Sequence, residues 1–179
     1  MKIEPGSEND SDQCRAIIHE YYKCQDAFNQ FCMVGERLVL NGQSNEISYR
    51  AYNLYSYFIL HLYEFLMACH AREAKNTSIT NKRGTDRTEY LDALIMSDTN
   101  RVINKVIGSI RLGIAPDWEN HISHYENLLP VPPSFAEDFR VYRNKISGHA
   151  SFERISELNL TEFYYKYDVY FELVYRVEG

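Results

Sequence analysis

Apolar residues recur along most of the chain at steps of three and four, the period of a helix with one buried face. Between about Ser11 and Leu40 the stripe runs through Ala16, Ile17, Tyr21, Cys24, Phe28, Phe31 and Cys32. Asn41-Gly42 is a stop signal. Ser44 offers a restart, with Glu46 favourably placed in the first turn. A second helix then runs to about Ala74 on Ile47, Ala51, Leu54, Phe58, Leu62, Phe65 and Cys69.

The stretch 75–87, "KNTSITNKRGTDR", is polar and basic and reads as a loop. A third helix is expected over about Thr88–Leu112, with a break or kink at Ser97-Asp98. Gly113, Pro116, Pro130, Pro132 and Pro133 make residues 113–133 largely irregular. Ser134, with Glu137 three positions on, has the pattern of a capping box. It opens a fourth helix that reaches about Ile146, where Ser147-Gly148 ends or distorts it. A final helix over about Thr161–Arg176 is crowded with Tyr and Phe. No segment alternates with period two. The predicted class is all-α, an antiparallel bundle of four to five helices. Residues 1–10 read as a disordered lead, and 11–179 as a single helical domain.

Composition adds constraints. The chain has 179 residues, enough for one domain with a real core. Its 15 tyrosines imply many half-buried positions, with the ring inside and the hydroxyl at a polar edge. A net charge of -6 argues against a broad, non-specific grip on nucleic acid. Cys14, Cys24, Cys32 and Cys69 form no CxxC pair and read as reduced core residues of a cytoplasmic protein. Residues 1–13 carry no apolar run of the secretory kind. The longest apolar run, Leu54 to Cys69, is shorter than the roughly 20 residues that span a bilayer, so no membrane partner is expected.

Two features could carry chemistry. In "VYRNKISGHAS", Arg143, Asn144 and His149 gather at the end of the fourth helix. At about 100° per residue, Arg143 and His149 face different sides of a regular helix. They converge only if Ser147-Gly148 distorts it, which a glycine permits. The plainer reading makes Arg143 an ion-pairing residue and His149 a helix-terminal histidine favoured by the macrodipole. The second feature is Glu64, the one carboxylate in the run from Leu54 to Cys69. A buried carboxylate needs a cation or becomes protonated. Arg143 is a candidate, since Arg pairs bidentately with carboxylates. Solvent, His61 or another basic residue are the alternatives.

"RNKISGH" resembles the signature of the HEPN superfamily (higher eukaryotes and prokaryotes nucleotide-binding). That signature is an Arg, usually followed by a polar residue, then a His after four to six intervening positions. Five positions separate Arg143 from His149 here, and Asn144 follows the Arg. The motif's place before one last aromatic helix, and the acidic Glu64 on an early helix, are also similar to that family. The resemblance implies a metal-independent endoribonuclease without cofactor, working as a homodimer, in a toxin–antitoxin or phage-defence role. In that chemistry the RNA 2'-hydroxyl attacks the adjacent phosphate. His149 would transfer protons, Arg143 would hold the phosphate oxygens, Asn144 would support them, and Glu64 would orient Arg143. Some members carry a Tyr two positions after the His, which a partner enzyme modifies. Ser151 stands there in this chain, so that mode of silencing by an antitoxin does not carry over. Other members are non-catalytic dimers that bind a partner protein or a nucleotide, and that alternative stays open.

Weaker constellations are His121, His124 and Glu126, which could ligate a metal but read better as a solvated segment. Lys75, Lys82, Arg83 and Arg87 form a modest basic loop. No glycine-rich phosphate loop, GxSxG or HExxH is present.

Overall fold

The computed structural model describes residues 2–42, 44–79, 85–147 and 159–178. Among them are six α-helices and no strand. Helix α1 spans Glu8–Asn41, α2 Asn45–Glu73, α3 Thr85–Arg111, α4 Ile122–Glu126, α5 Phe135–Ser147 and α6 Leu160–Glu178, with a 3₁₀ turn at Thr77–Ile79. The fold is all-α.

Helices α1 and α2 form a long hairpin. Gly42 closes α1 with φ +79°, a backbone region costly for any residue with a side chain. Ser44 caps α2 by accepting the Ile47 N–H at 3.2 Å. At the opposite end, residues 2–10 of the expected disordered lead contact the end of α2. Helix α1 starts three positions ahead of Ser11, because the Ser7 hydroxyl accepts the Asp10 N–H at 3.2 Å. Asp10 then accepts the Gly6 N–H at 3.0 Å and the Arg72 Nε–H at 2.8 Å. The Ile3 N–H donates to the Lys75 carbonyl at 2.8 Å, and Ile3 is buried.

Helix α2 is the central element, packed against α1, α5 and α6. Phe58, Ile59 and Leu62 on α2 are fully buried, as are Val102 and Ile103 on α3 and Phe171 on α6. They belong to one continuous core that takes in Phe135 and Phe139 of α5. The Phe139 ring meets Phe171 at 4.7 Å and Tyr63 edge-on at 5.2 Å, so α5 is held between α2 and α6 by aromatic contacts. Of the 15 tyrosines, six are buried, four half-buried and five exposed. Tyr170 buries its ring and donates its hydroxyl to the Leu128 carbonyl at 3.1 Å.

Helix α3 runs through Ser97-Asp98 without the expected break. Asp98 faces inward to His70, and the Thr99 hydroxyl donates back to the Ile95 carbonyl at 2.8 Å. Both polar groups are satisfied without opening the helix. At the start of α5, the Ser134 hydroxyl meets the Tyr167 hydroxyl of α6 at 2.8 Å, a partner the capping-box pattern did not anticipate. The segment before it is largely irregular but anchored. Tyr125 of α4 is buried and donates its hydroxyl to Glu119, which also accepts from Arg176 of α6 at 3.2 Å. Trp118 sits outside this anchor, exposed, with the Arg176 guanidinium 5.2 Å from its ring centre.

Candidate functional site

Arg143 lies on the last turns of α5, and α5 crosses α2 where Glu64 emerges from its apolar stripe. The two side chains meet. The Arg143 Nε–H donates to Glu64 Oε1 at 2.7 Å, and the NH2 group donates to the same oxygen. The NH1 group donates to Asn144 Oδ1 at 3.0 Å. The guanidinium also lies 5.4 Å from the centre of the Tyr63 ring. Glu64, Arg143 and Asn144 therefore form one cluster, with both edges of the guanidinium engaged. Arg143 and Glu64 are about a third exposed, at 29% and 36%, so the cluster sits at the rim of the core and reaches solvent. His149 lies outside the described residues, as do Gly148 and Ser151.

One helical turn before Arg143, a second arginine makes a parallel connection. Arg140 donates Nε–H and NH2 to the two oxygens of Asp92 on α3, at 2.8 and 2.9 Å. The hydrogen bond to Asp92 raises the Arg140 pKa. Tyr63 stands between the two ion pairs, and burial pushes its hydroxyl pKa up. Helix α5 is thus bolted to α2 through Glu64 and to α3 through Asp92. Either pair alone would serve as a structural link, and only the Glu64 link includes the Asn144 amide.

His61, an alternative partner for Glu64 on sequence grounds, pairs elsewhere. Its Nδ1 lies 2.8 Å from Glu20 Oε2 of α1, and Lys23 Nζ donates to the other Glu20 oxygen at 2.8 Å. Burial pushes the Glu20 pKa up, but the bonds from Lys23 and His61 outweigh it and leave the carboxyl below its usual range. Nothing in the sequence marks Glu20 as the partner, because it lies 41 positions away on a different helix.

The possible metal set disperses. His121 Nδ1 accepts the Ser123 N–H at 3.3 Å, His124 stacks edge-on against Tyr125, and Glu126 accepts from Arg111 at 2.8 Å. Among the described residues no group of three or more His, Cys, Asp or Glu is placed to hold a metal. In the basic loop, residues 82 and 83 lie outside the described residues, and Lys75 carries the one positive φ outside glycine among those described. The four cysteines are free thiols. Burial pushes the Cys24 thiol up to about 12, which keeps it protonated and inert as a nucleophile. Among the described residues no helix is long and apolar enough to cross a membrane.

The chain matches no protein family model, no curated protein and no solved structure.

Proposed function

We propose that the protein is a HEPN-like, metal-independent endoribonuclease. It would cut RNA by 2'-hydroxyl attack and act as a homodimer in a toxin–antitoxin or phage-defence setting. The observation that carries this reading is the joining of Arg143, Asn144 and Glu64 at the end of α5. A guanidinium held by a carboxylate on one edge and an amide on the other is pre-oriented, and preorganised cations stabilise the charge of a phosphorane best. Its partial exposure leaves it within reach of a phosphate. In this reading Arg143 clamps phosphate, His149 serves as general acid and base, Asn144 supports the clamp and Glu64 orients Arg143. A second copy of the chain would bring the second histidine that separate acid and base roles require.

The same cluster favours one competing reading. Glu64 engages Nε and NH2 of Arg143, the edge a phosphate would grip bidentately. A non-catalytic helical dimer that binds a partner protein or a nucleotide would use the pair only as a strut.

The deciding experiment incubates purified protein with total RNA and chelator, and compares wild type with His149→Ala. The nuclease reading expects fragments ending in 2',3'-cyclic phosphate from wild type and not from the variant. Absence of such ends with wild type, at every pH and salt concentration tried, selects the binding module.

A further inference from the structure

The segment that leaves α3 holds three large apolar side chains in water. Leu112, Ile114 and Trp118 are 75%, 70% and 68% exposed. One such residue on a surface is ordinary, and a cluster of them marks a contact surface. The segment is fixed at both ends. Helix α3 closes with Gly113 at φ +69°, whose N–H donates to the Ile110 carbonyl, while the Ile114 N–H donates to the Ser109 carbonyl, both at 3.0 Å. In this kind of helix ending the residue after the glycine commonly packs on an apolar side chain of the last turns. Gly108 and Ser109 occupy those places and offer none, so Ile114 stays out in solvent. At the far end the Glu119 N–H donates to the Pro116 carbonyl at 2.9 Å. The Glu119 side chain turns inward, 8% exposed, and accepts from Tyr125 and from Arg176 at 3.2 Å.

Between this segment and the ends of α3 and α6 lies a notch of about 280 Å³. That is below the roughly 300–1,000 Å³ of small-molecule sites and suits one anchoring side chain. Ile114, Trp118, Val106 and Val177 give it apolar walls, and Lys105 and Arg176 bring cations to its lining. The Arg176 guanidinium sits 5.2 Å from the Trp118 ring centre and is 29% exposed, so it borders both the indole and solvent.

Trp and Arg around a pocket are the residue types that carry most of the energy of protein interfaces. A backbone already fixed keeps the entropy cost of docking low. Leu112 and Ile114 give a nucleobase nothing to stack on, and two cations are few for a phosphate backbone. The same two cations suit carboxylates beside an apolar anchor. We propose that this corner is a docking site for an acidic segment of a partner protein. One apolar side chain of the partner enters the notch between Ile114 and Trp118, and neighbouring Asp or Glu residues face Lys105 and Arg176. The site goes beyond the nuclease reading and is remote from its cluster. Phe163, stacked on Tyr142 next to Arg143, is at the start of α6, and Arg176 lies about 20 Å further along that helix.

The test selects from a phage-displayed library of random dodecapeptides on the full chain, and titrates the selected peptides by the emission of Trp118, the one tryptophan. The selected pool is expected to place Asp or Glu beside Leu, Ile, Phe or Trp, and to lose affinity as salt rises. Trp118→Ala and Ile114→Ser, followed by calorimetry, are each expected to weaken these peptides about tenfold. Lys105→Glu is expected to weaken them about threefold. All three positions are exposed, and circular dichroism should show the helices unchanged. Failure to enrich any peptide overturns the proposal. So does a pool without acidic residues, or affinity that Trp118→Ala leaves intact. Quenching of Trp118 by oligouridylate with no peptide selected assigns the corner to RNA instead. A dimer of the chain that Trp118→Ala dissociates assigns it to a second copy, and either result also overturns the proposal.

Discussion

His70 on α2 and Asp98 on α3 meet at 2.7 Å in the seam between the two helices, each about a tenth exposed. Burial pulls the His70 pKa down, but the bond and charge of Asp98, with help from Glu73, outweigh it and raise the net value above 6.5. Burial pushes Asp98 up, and the bonds from His70 and Arg101 outweigh that and leave it below 3.8. The His70 contribution is therefore complete below pH 6.5 and is lost as the pH rises through the raised folded-state value. The Asp98 contribution is complete above 3.8 and is lost as the pH falls through its depressed value. His70→Gln is expected to destabilise the protein by about 2 kcal/mol near pH 5.5. Urea melts should show the gap to wild type shrinking as the pH rises through the raised His70 value. A constant gap from acid to alkaline pH would show that the ion pair is not the cause.

The Glu64–Arg143 pair is partly exposed, so its weight in stability should be small. Glu64→Gln and Arg143→Ala are each expected to cost about 1 kcal/mol or less in denaturant melts. RNA cleavage should respond on a different scale. Under the nuclease reading, Arg143→Ala lowers the rate about a hundredfold and Glu64→Gln roughly tenfold. Comparable small effects on stability and rate would assign the pair to holding α5 in place.

Arg140 has its guanidinium largely inside, at 16% exposure, and uses two donors on the two oxygens of Asp92. Lysine cannot reproduce that fork. Arg140→Lys is expected to lower stability by about 1–2 kcal/mol, roughly 2–8 °C in melting temperature. Asp92→Asn should cost a similar amount, and the double variant should cost less than the sum.

Tyr55→Phe removes a buried hydroxyl that closes no regular hydrogen bond. Its effect on stability should be within about 1 kcal/mol of zero, and of either sign. The loss should be visible at Asp168 instead. The Tyr55 hydroxyl pulls the Asp168 pKa down, so the variant should raise it further above about 6. Carboxyl chemical shifts followed against pH would read that change directly.

Much of the helix order is legible along the chain because the apolar stripe of α2 and the stop at Gly42 are local signals. A lone carboxylate inside an apolar run needs a cation, and Arg143 is where Glu64 finds one. That contact spans 79 positions and says nothing of catalysis by itself. Contacts without such a local anomaly stayed hidden. Glu20 looks like any helix-surface acid until His61 reaches it from α2. Asp168 lies among seven aromatic residues of the last helix, where no period separates inside from outside. Its pKa is raised first by burial against the other helices, which the sequence of α6 alone does not show. Ser97-Asp98 suggested a break because composition cannot reveal that His70 waits opposite Asp98.

Trp118, the one tryptophan of the chain, lies on the surface against Arg176 and outside the aromatic core. Its emission therefore reports the docking of the loop onto the end of α6, and is blind to Phe58, Phe139 and Phe171. In an unfolding experiment the indole signal should respond to the loosening of that one corner. Circular dichroism and tyrosine absorbance follow the bundle itself. Any separation between the two curves would time the release of the loop relative to the collapse of the helices.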